Sequence, residues 1–127
     1  MLQDVIARIQ EERDRVLSNA QSARIFLELV DPKRLQRGGE ILRGGMVSIT
    51  KEEHEGVWGE CLPSGGGEPY RVGFKVRALR VRGASCTCHE GMQGEICKHV
   101  IALCAKWMLE QKSSWQKLTS ALKTLEA

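Results

Sequence analysis

The amino-acid sequence predicts an α+β fold: a small antiparallel β-sheet leads into a loop and a helix, and further helices flank it at both ends of the chain. Three observations predict it. Apolar residues recur at helical spacing near both termini. Short segments between residues 46 and 76 have strand character and are separated by glycines. Two tight pairs, Cys86 with Cys88 and Cys97 with His99, then precede an apolar run.

The N-terminal region is predicted to hold two helices. Residues 2–17 carry apolar side chains at helical spacing, interrupted by Glu12 and Arg13. Residues 22–30 form a second, short stripe that should end at Asp31, because Pro32 disfavours the α conformation in the residue before it. The first helix either packs on its own domain or forms a seam with a partner.

Three strands are predicted, over residues 46–50, 57–62 and 70–76. The third is the clearest, because its apolar residues alternate with glycine or basic ones and give it one apolar and one basic face. After Ala78 the apolar residues change phase, which requires either a tight turn or a bulge. The sequence leaves both open.

Two more helices are predicted after His99. The first has apolar residues at Val100, Leu103, Cys104, Trp107 and Met108, the spacing of a helix buried on one side. Ser113 and Gln116 resemble a capping box that would open a last helix. That helix has an apolar stripe of its own and either folds back on the domain or binds a partner.

The two Cys/His pairs have the spacing of a zinc site. Neighbouring ligands must converge, because sulfurs about 2.3 Å from a tetrahedral ion end roughly 3.8 Å apart. Cys86 and Cys88 leave the same face of an extended chain. Cys97 and His99 cannot both lie inside one regular helix and share an ion, since positions i and i+2 point about 200° apart. Cys97 must therefore precede the helix that contains His99.

One zinc ion per chain is the predicted cofactor, and its role is structural. Gly91 and Gly94 allow the intervening loop to reverse direction. All four positions are strong ligands, so none is left for water or substrate. A deaminase-type catalytic zinc does not fit, because that chemistry uses H-x-E and C-x-x-C pairs. We therefore predict Cys86, Cys88, Cys97 and His99 as ligands and no catalytic residues.

The pattern C-x-C, eight residues, C-x-H and an apolar helix over residues 100–105 resembles the SWIM-type zinc finger family. The resemblance extends upstream through Gly59 and the glycine-rich stretch 64–72, and covers about residues 36–108. One departure is His89, where many members carry proline. SWIM modules occur in chromatin-remodelling ATPases, Mutator-type transposases and small stand-alone recombination factors. The resemblance implies binding to DNA or protein.

The positive charge is concentrated beside the predicted zinc site. Residues 1–69 carry nine Lys/Arg against twelve Asp/Glu, whereas residues 70–106 carry seven against two. Three thiolates and a divalent ion add one negative charge to the second segment and leave it basic. The candidate nucleic-acid-binding residues are therefore Arg71, Lys75, Arg77, Arg80, Arg82 and Lys98.

Several isolated residues are expected to be structural. His89 is interpreted as a loop residue beside a complete ligand set, and His54 as part of a solvated turn. Cys61 and Cys104 are expected to be small buried hydrophobes. Trp58 is expected to pack in the core, with stacking on a nucleic-acid base as the alternative.

We expect one compact domain with three parts: a helical segment 1–35, a zinc-binding sheet and helix over 36–112, and a C-terminal helix over 113–127. The five cysteines and the charged N-terminus indicate a reduced, intracellular protein of the cytoplasm, nucleoid or nucleus. The sequence contains no nucleophile–base arrangement that would indicate an enzyme, and no membrane or small-molecule partner is expected.

Two functions remain open. One is a nucleic-acid-binding module or adaptor in recombination, repair or transposition; the other is an adaptor that holds a partner ATPase or recombinase through its apolar helices alone.

Overall fold

The computed structural model describes residues 1–127 and has the predicted α+β architecture. The elements in chain order are α1 (Leu2–Leu29), α2 (Pro32–Arg43), β1 (Val47–Glu53), β2 (Gly56–Cys61), β3 (Tyr70–Arg77), β4 (Arg80–Cys86), α3 (His89–Met92) and α4 (Lys98–Glu126). None of these helices has an apolar stretch long enough to span a bilayer.

The four strands form one antiparallel sheet in the order β1-β2-β3-β4. The predicted strands are confirmed as β1, β2 and β3, and the turn-or-bulge question after Ala78 is settled as a turn. Ala78 and Leu79 both have positive φ, at 51° and 62°, and Arg77 pairs directly with Arg80. This is the geometry of a two-residue hairpin, which is usually built from Asn or Gly.

The core lies between the sheet and α4. Residues 100–104 of α4 are all buried, and Trp107 packs edge-on against Phe74 of β3 with 5.4 Å between ring centroids. Val57 and Val72 complete the inner face of the sheet. The helices α1 and α2 pack along α4. Cross-strand neighbours share a face, so the apolar positions of β2, β3 and β4 all turn toward α4.

The prediction of two N-terminal helices is wrong, because α1 is continuous through the polar stretch between them. Ala20 and Ala23 are buried against α4, and the Asn19 side-chain amide donates a hydrogen bond of 3.0 Å to Gln111 on that helix. The Ser22 hydroxyl donates to the carbonyl of Ser18 within α1. The polar groups that would end an isolated helix are therefore satisfied inside the helix pair.

The same pairing removes the predicted helix start at Ser113, since α4 runs without a break from Lys98 to Glu126. Gln111 lies just before the expected boundary and is buried, donating to Glu52 of β1 while it accepts from Asn19. A helix that is held on both sides at this point continues through a capping-box sequence. The segment 113–127 is thus the end of α4 rather than a separate helix.

The helix α2 is not predicted by the sequence, because the pair Gly38-Gly39 is typical of a break between elements. Pro32 occupies the first turn, where its missing N–H is harmless. Gly38 is buried against α4: a Cβ atom there would lie 2.5 Å from Ile101 Cγ2. Gly38 thus serves the close approach of two helices and not a turn.

Gly38 and its neighbour give a matched test of this packing. Gly38→Ala should destabilise the protein by about 1–3 kcal/mol, because the new methyl group overlaps Ile101. Gly39→Ala should instead be neutral or stabilising by up to about 1 kcal/mol, since it meets only the end of the Arg43 side chain and alanine favours helix. Denaturant unfolding of both variants measures the difference; equal effects would contradict the packing.

Candidate metal centre

The four predicted ligands lie together where the sheet meets α4. Cys86 is the last residue of β4, and Cys88 is the N-cap of the short helix α3. Cys97 is the N-cap of α4 and His99 lies in its first turn. The prediction that Cys97 precedes the helix is confirmed. The bend at the helix start turns both members of the second pair toward the first.

The geometry of this cluster fits one zinc ion. One ligand atom from each residue lies within 4.8 Å of all the others, and all four residues are buried. His99 Nδ1 is 3.7 Å from Cys86 Sγ, close to the separation of two ligands on a tetrahedral zinc. Three thiols and one imidazole are the donor set of a closed structural site. When bound, zinc would supply a cross-link between β4 and α4.

The thiols already differ in acidity without an ion. A hydrogen bond from the Cys86 thiol, followed in strength by one from His99, lowers the pKa of Cys97 to about 3 despite its burial. The same interaction with Cys97, together with burial, raises the pKa of Cys86. Burial raises the pKa of Cys88. Because a cysteine must be a thiolate to bind zinc, metal binding would release the protons that the cluster still holds.

The backbone around the ligands is held by β3 and by two glycines. Thr87, between the first two ligands, donates its N–H to the Arg71 carbonyl at 3.0 Å and accepts the Arg71 N–H on its hydroxyl at 3.0 Å. A Cβ atom at Gly91 would lie 2.5 Å from the Cys86 carbonyl oxygen, whereas Gly94 has a φ of +81°. The expected reversal of direction thus uses positive φ at Gly94 but close approach at Gly91.

Comparison with known proteins agrees with this geometry. Residues 68–107 match the family model of the SWIM zinc finger, from just before β3 to the first third of α4. This chain contains a SWIM zinc finger. The match is shorter than the expected resemblance over residues 36–108 and leaves out β1 and β2. No curated protein and no solved structure matches the chain.

Two interactions that support the SWIM zinc finger were not found from the sequence. The Tyr70 ring, at the start of β3, packs on the His99 imidazole with 4.5 Å between centroids. Arg34 of α2 donates to the Ile96 carbonyl at 3.0 Å and pairs with Glu95 at 2.9 Å. Tyr70 fixes the ring of a ligand, and Arg34 holds the loop just before Cys97. Alternation placed Tyr70 on the inner face, but no signal in the sequence pointed to Arg34.

Five of the six predicted nucleic-acid-binding residues share the outer face of the sheet, opposite α4. They are all exposed: Arg71, Lys75, Arg77, Arg80 and Arg82. Lys75 pairs with Arg82, and Arg77 with Arg80, so the cations on β3 and β4 face the same way. Lys98 does not share this face. It lies at the start of α4 and lines a groove with Tyr70 and His99 at the end of the sheet.

The isolated residues divide between the core and the surface. Cys61 and Cys104 are fully buried outside the ligand cluster, as expected. His89 and His54 are exposed, and His89 contacts Gln93 rather than the cluster. The expectation that Trp58 packs in the core is wrong. It pairs with Lys51 and Gly73 on the outer face of the sheet and is only partly buried.

The purified protein should contain one zinc per chain, and Cys97→Ser should lower both the zinc content and the thermal stability. Elemental analysis with titration of metal-released thiols measures the first, and thermal unfolding the second. Folded protein without metal, or with Cys86 and Cys97 joined in a disulfide, would contradict the assignment.

Cys104→Ala is the matched control for the zinc prediction, because Cys104 is a buried thiol of α4 outside the cluster. It should retain zinc and cost about 1 kcal/mol of stability. Burial raises the pKa of Cys104 to about 12, so the thiol stays protonated near neutral pH. In the wild type it should react with alkylating agents only after unfolding.

Proposed function

We propose that this protein is a non-catalytic adaptor in DNA transactions such as recombination, repair or transposition, and that it binds nucleic acid through the outer face of its sheet. The observation that carries the proposal is the clustering of Arg71, Lys75, Arg77, Arg80 and Arg82 on one exposed surface. A SWIM zinc finger is a binding module, and here it supplies the frame that presents these cations.

The positive charge on this face exceeds the negative charge. None of the five cations forms an ion pair with a carboxylate. Two carboxylates lie on the same face: Glu53, which pairs with Lys51, and Glu60, opposite Arg71. Glu60 offsets part of the charge of Arg71, and cations that form no ion pair remain available to phosphates. When a nucleic acid binds along β3 and β4, these cations would neutralise its phosphates and release the counterions condensed on them.

Replacing Arg77, Arg80 and Arg82 together by Ala should weaken nucleic-acid binding and reduce its dependence on salt. Each phosphate-binding cation that is removed lowers the slope of log K against log salt by about 0.7 for single strands or 0.9 for duplex. The triple variant should therefore have a slope smaller by about 2–3 units. Fluorescence anisotropy of labelled oligonucleotides across a salt series measures both quantities.

The matched control replaces Lys112, Lys117 and Lys123 of α4 by Ala, which removes the same charge from the helical side of the molecule. This variant should bind like the wild type. Zinc content and circular dichroism establish that all variants are folded. A zinc-loaded triple-Arg variant with unchanged affinity and slope would refute binding at this face.

A second candidate function is capture of a protein partner by the paired ends of α1 and α4. These ends expose apolar side chains, among them Leu2, Val5 and Leu17 of α1 and Trp115 of α4. Leu17, Ala20 and Trp115 line a groove of about 360 Å³ between the two helices. An amphipathic helix of a partner protein can place its apolar face in a groove of this kind.

Trp115→Ala should abolish partner capture while leaving zinc content and nucleic-acid affinity unchanged. Affinity purification from the native cell, with and without nuclease, would show whether a protein is retained by direct binding. Gln116→Ala, which trims a polar side chain of the same groove, serves as the control and should retain the partner. If Trp115→Ala still captures the partner protein, the groove between α1 and α4 is not the binding site.

A further inference from the structure

Trp58 occupies an unusual position for a tryptophan, on the solvent side of the sheet rather than in the core. Two glycines make room for it. A Cβ atom at Gly56 would lie 2.6 Å from Trp58 Cη2, and one at Gly73 would lie 2.6 Å from Trp58 Cδ1. The edge of the indole that bears Nε1 thus rests directly over the backbone of β2 and β3. Glycine inside a strand weakens it and often marks a close approach.

The indole packs on the glycine backbone along one edge, and Trp58 as a whole is only partly buried. On the neighbouring strand β1 it pairs with Lys51, whose ammonium lies 5.4 Å from the ring centroid. That cation–π attraction orients the ring and is worth about 0.5–1 kcal/mol at an exposed site. The ring is therefore held in place by the sheet while part of its surface remains open to solvent.

The cations of the outer face bracket Trp58. Gly73 pairs directly with Trp58, and Arg71 and Lys75 are the next outward-facing residues on either side of it. Each lies roughly 7 Å along β3 from Gly73. An aromatic ring with a cation on either side is the arrangement that binds a base between two phosphates.

A groove next to the ring provides space for a base. Trp58 forms part of its lining, and the groove measures about 340 Å³. The rest of the lining combines polar residues with Gly59, Val72 and the metal ligand Cys86; the polar ones are Thr50, Glu60, Arg71, Ser85 and Thr87. The volume falls in the range of small-molecule sites, and the lining offers both hydrogen-bond donors and acceptors to a base edge.

We propose that the outer face binds single-stranded nucleic acid, with one unpaired base stacked on Trp58 and the flanking phosphates on Arg71 and Lys75. This rests on the proposed nucleic-acid binding and names its substrate class. A duplex fits poorly, because both faces of each base are already stacked and extruding one base requires a few kcal/mol. A single strand offers its bases freely.

The test compares a labelled oligothymidylate, an oligouridylate and a DNA duplex of equal length by anisotropy, using the zinc-loaded full chain. The wild type should bind a single strand more tightly than the duplex. Trp58→Ala should weaken single-strand binding about 5- to 150-fold, the range for loss of one base–aromatic stack. Its salt slope should not change, since no cation is removed. The two single strands distinguish DNA from RNA.

Trp58→Phe, which keeps an aromatic ring, should retain much of the affinity, and Trp115→Ala is the tryptophan control that should retain all of it. Tighter binding to duplex, or full single-strand affinity in Trp58→Ala, would overturn the stacking proposal while leaving nucleic-acid binding at the basic face in place. Absence of binding to all three probes would overturn both.

Discussion

The convergence of Cys86, Cys88, Cys97 and His99 on one point is the constraint on which the rest of the structure depends. It joins the end of β4 to the first turn of α4 and thereby lays that helix along the inner face of the sheet. Zinc in small modules is worth on the order of 10 kcal/mol, similar to the whole stability of a typical domain. The helix α4 in turn carries α1 and α2, so elements distant from the ligands also depend on the ion for their position.

The sheet uses alternate residues for two separate purposes. Along β3, Val72 and Phe74 build the core, whereas Arg71 and Lys75 charge the outer face. A slip of one residue in the pairing of β3 with β4 would exchange the two sets. Cys86 pairs with Val72, so a ligand of the zinc site belongs to the same ladder that fixes this register. By fixing this register, the metal centre keeps the basic residues on the outer face and the apolar residues in the core.

Local rules predicted the parts of the fold that depend on local chemistry. Cys and His spacing located the ligands, and strand alternation put the cations on one face. The secondary-structure predictions failed where contacts between residues far apart in the sequence override local conformational preference. The polar middle of α1 stays helical because Gln111, far along the chain, satisfies Asn19. Likewise Gly38 lies within α2 because Ile101 occupies the space a side chain would need. The size of Trp58 favours burial in the core, but the space above Gly56 and Gly73 allows the ring to lie on the outer face.

The unequal burial along α1 and α4 has a consequence for how the molecule opens. None of residues 2–15 is buried, and of residues 112–126 only Leu122 is. Amide protection against solvent exchange should therefore decline from the packed Ala23–Cys104 region toward both termini. A partner protein that binds the N-terminal part of α1 and the C-terminal part of α4 would contact the least stable part of the chain. Its binding would be accompanied by stiffening of the helix pair, and part of the association free energy would be spent on that ordering.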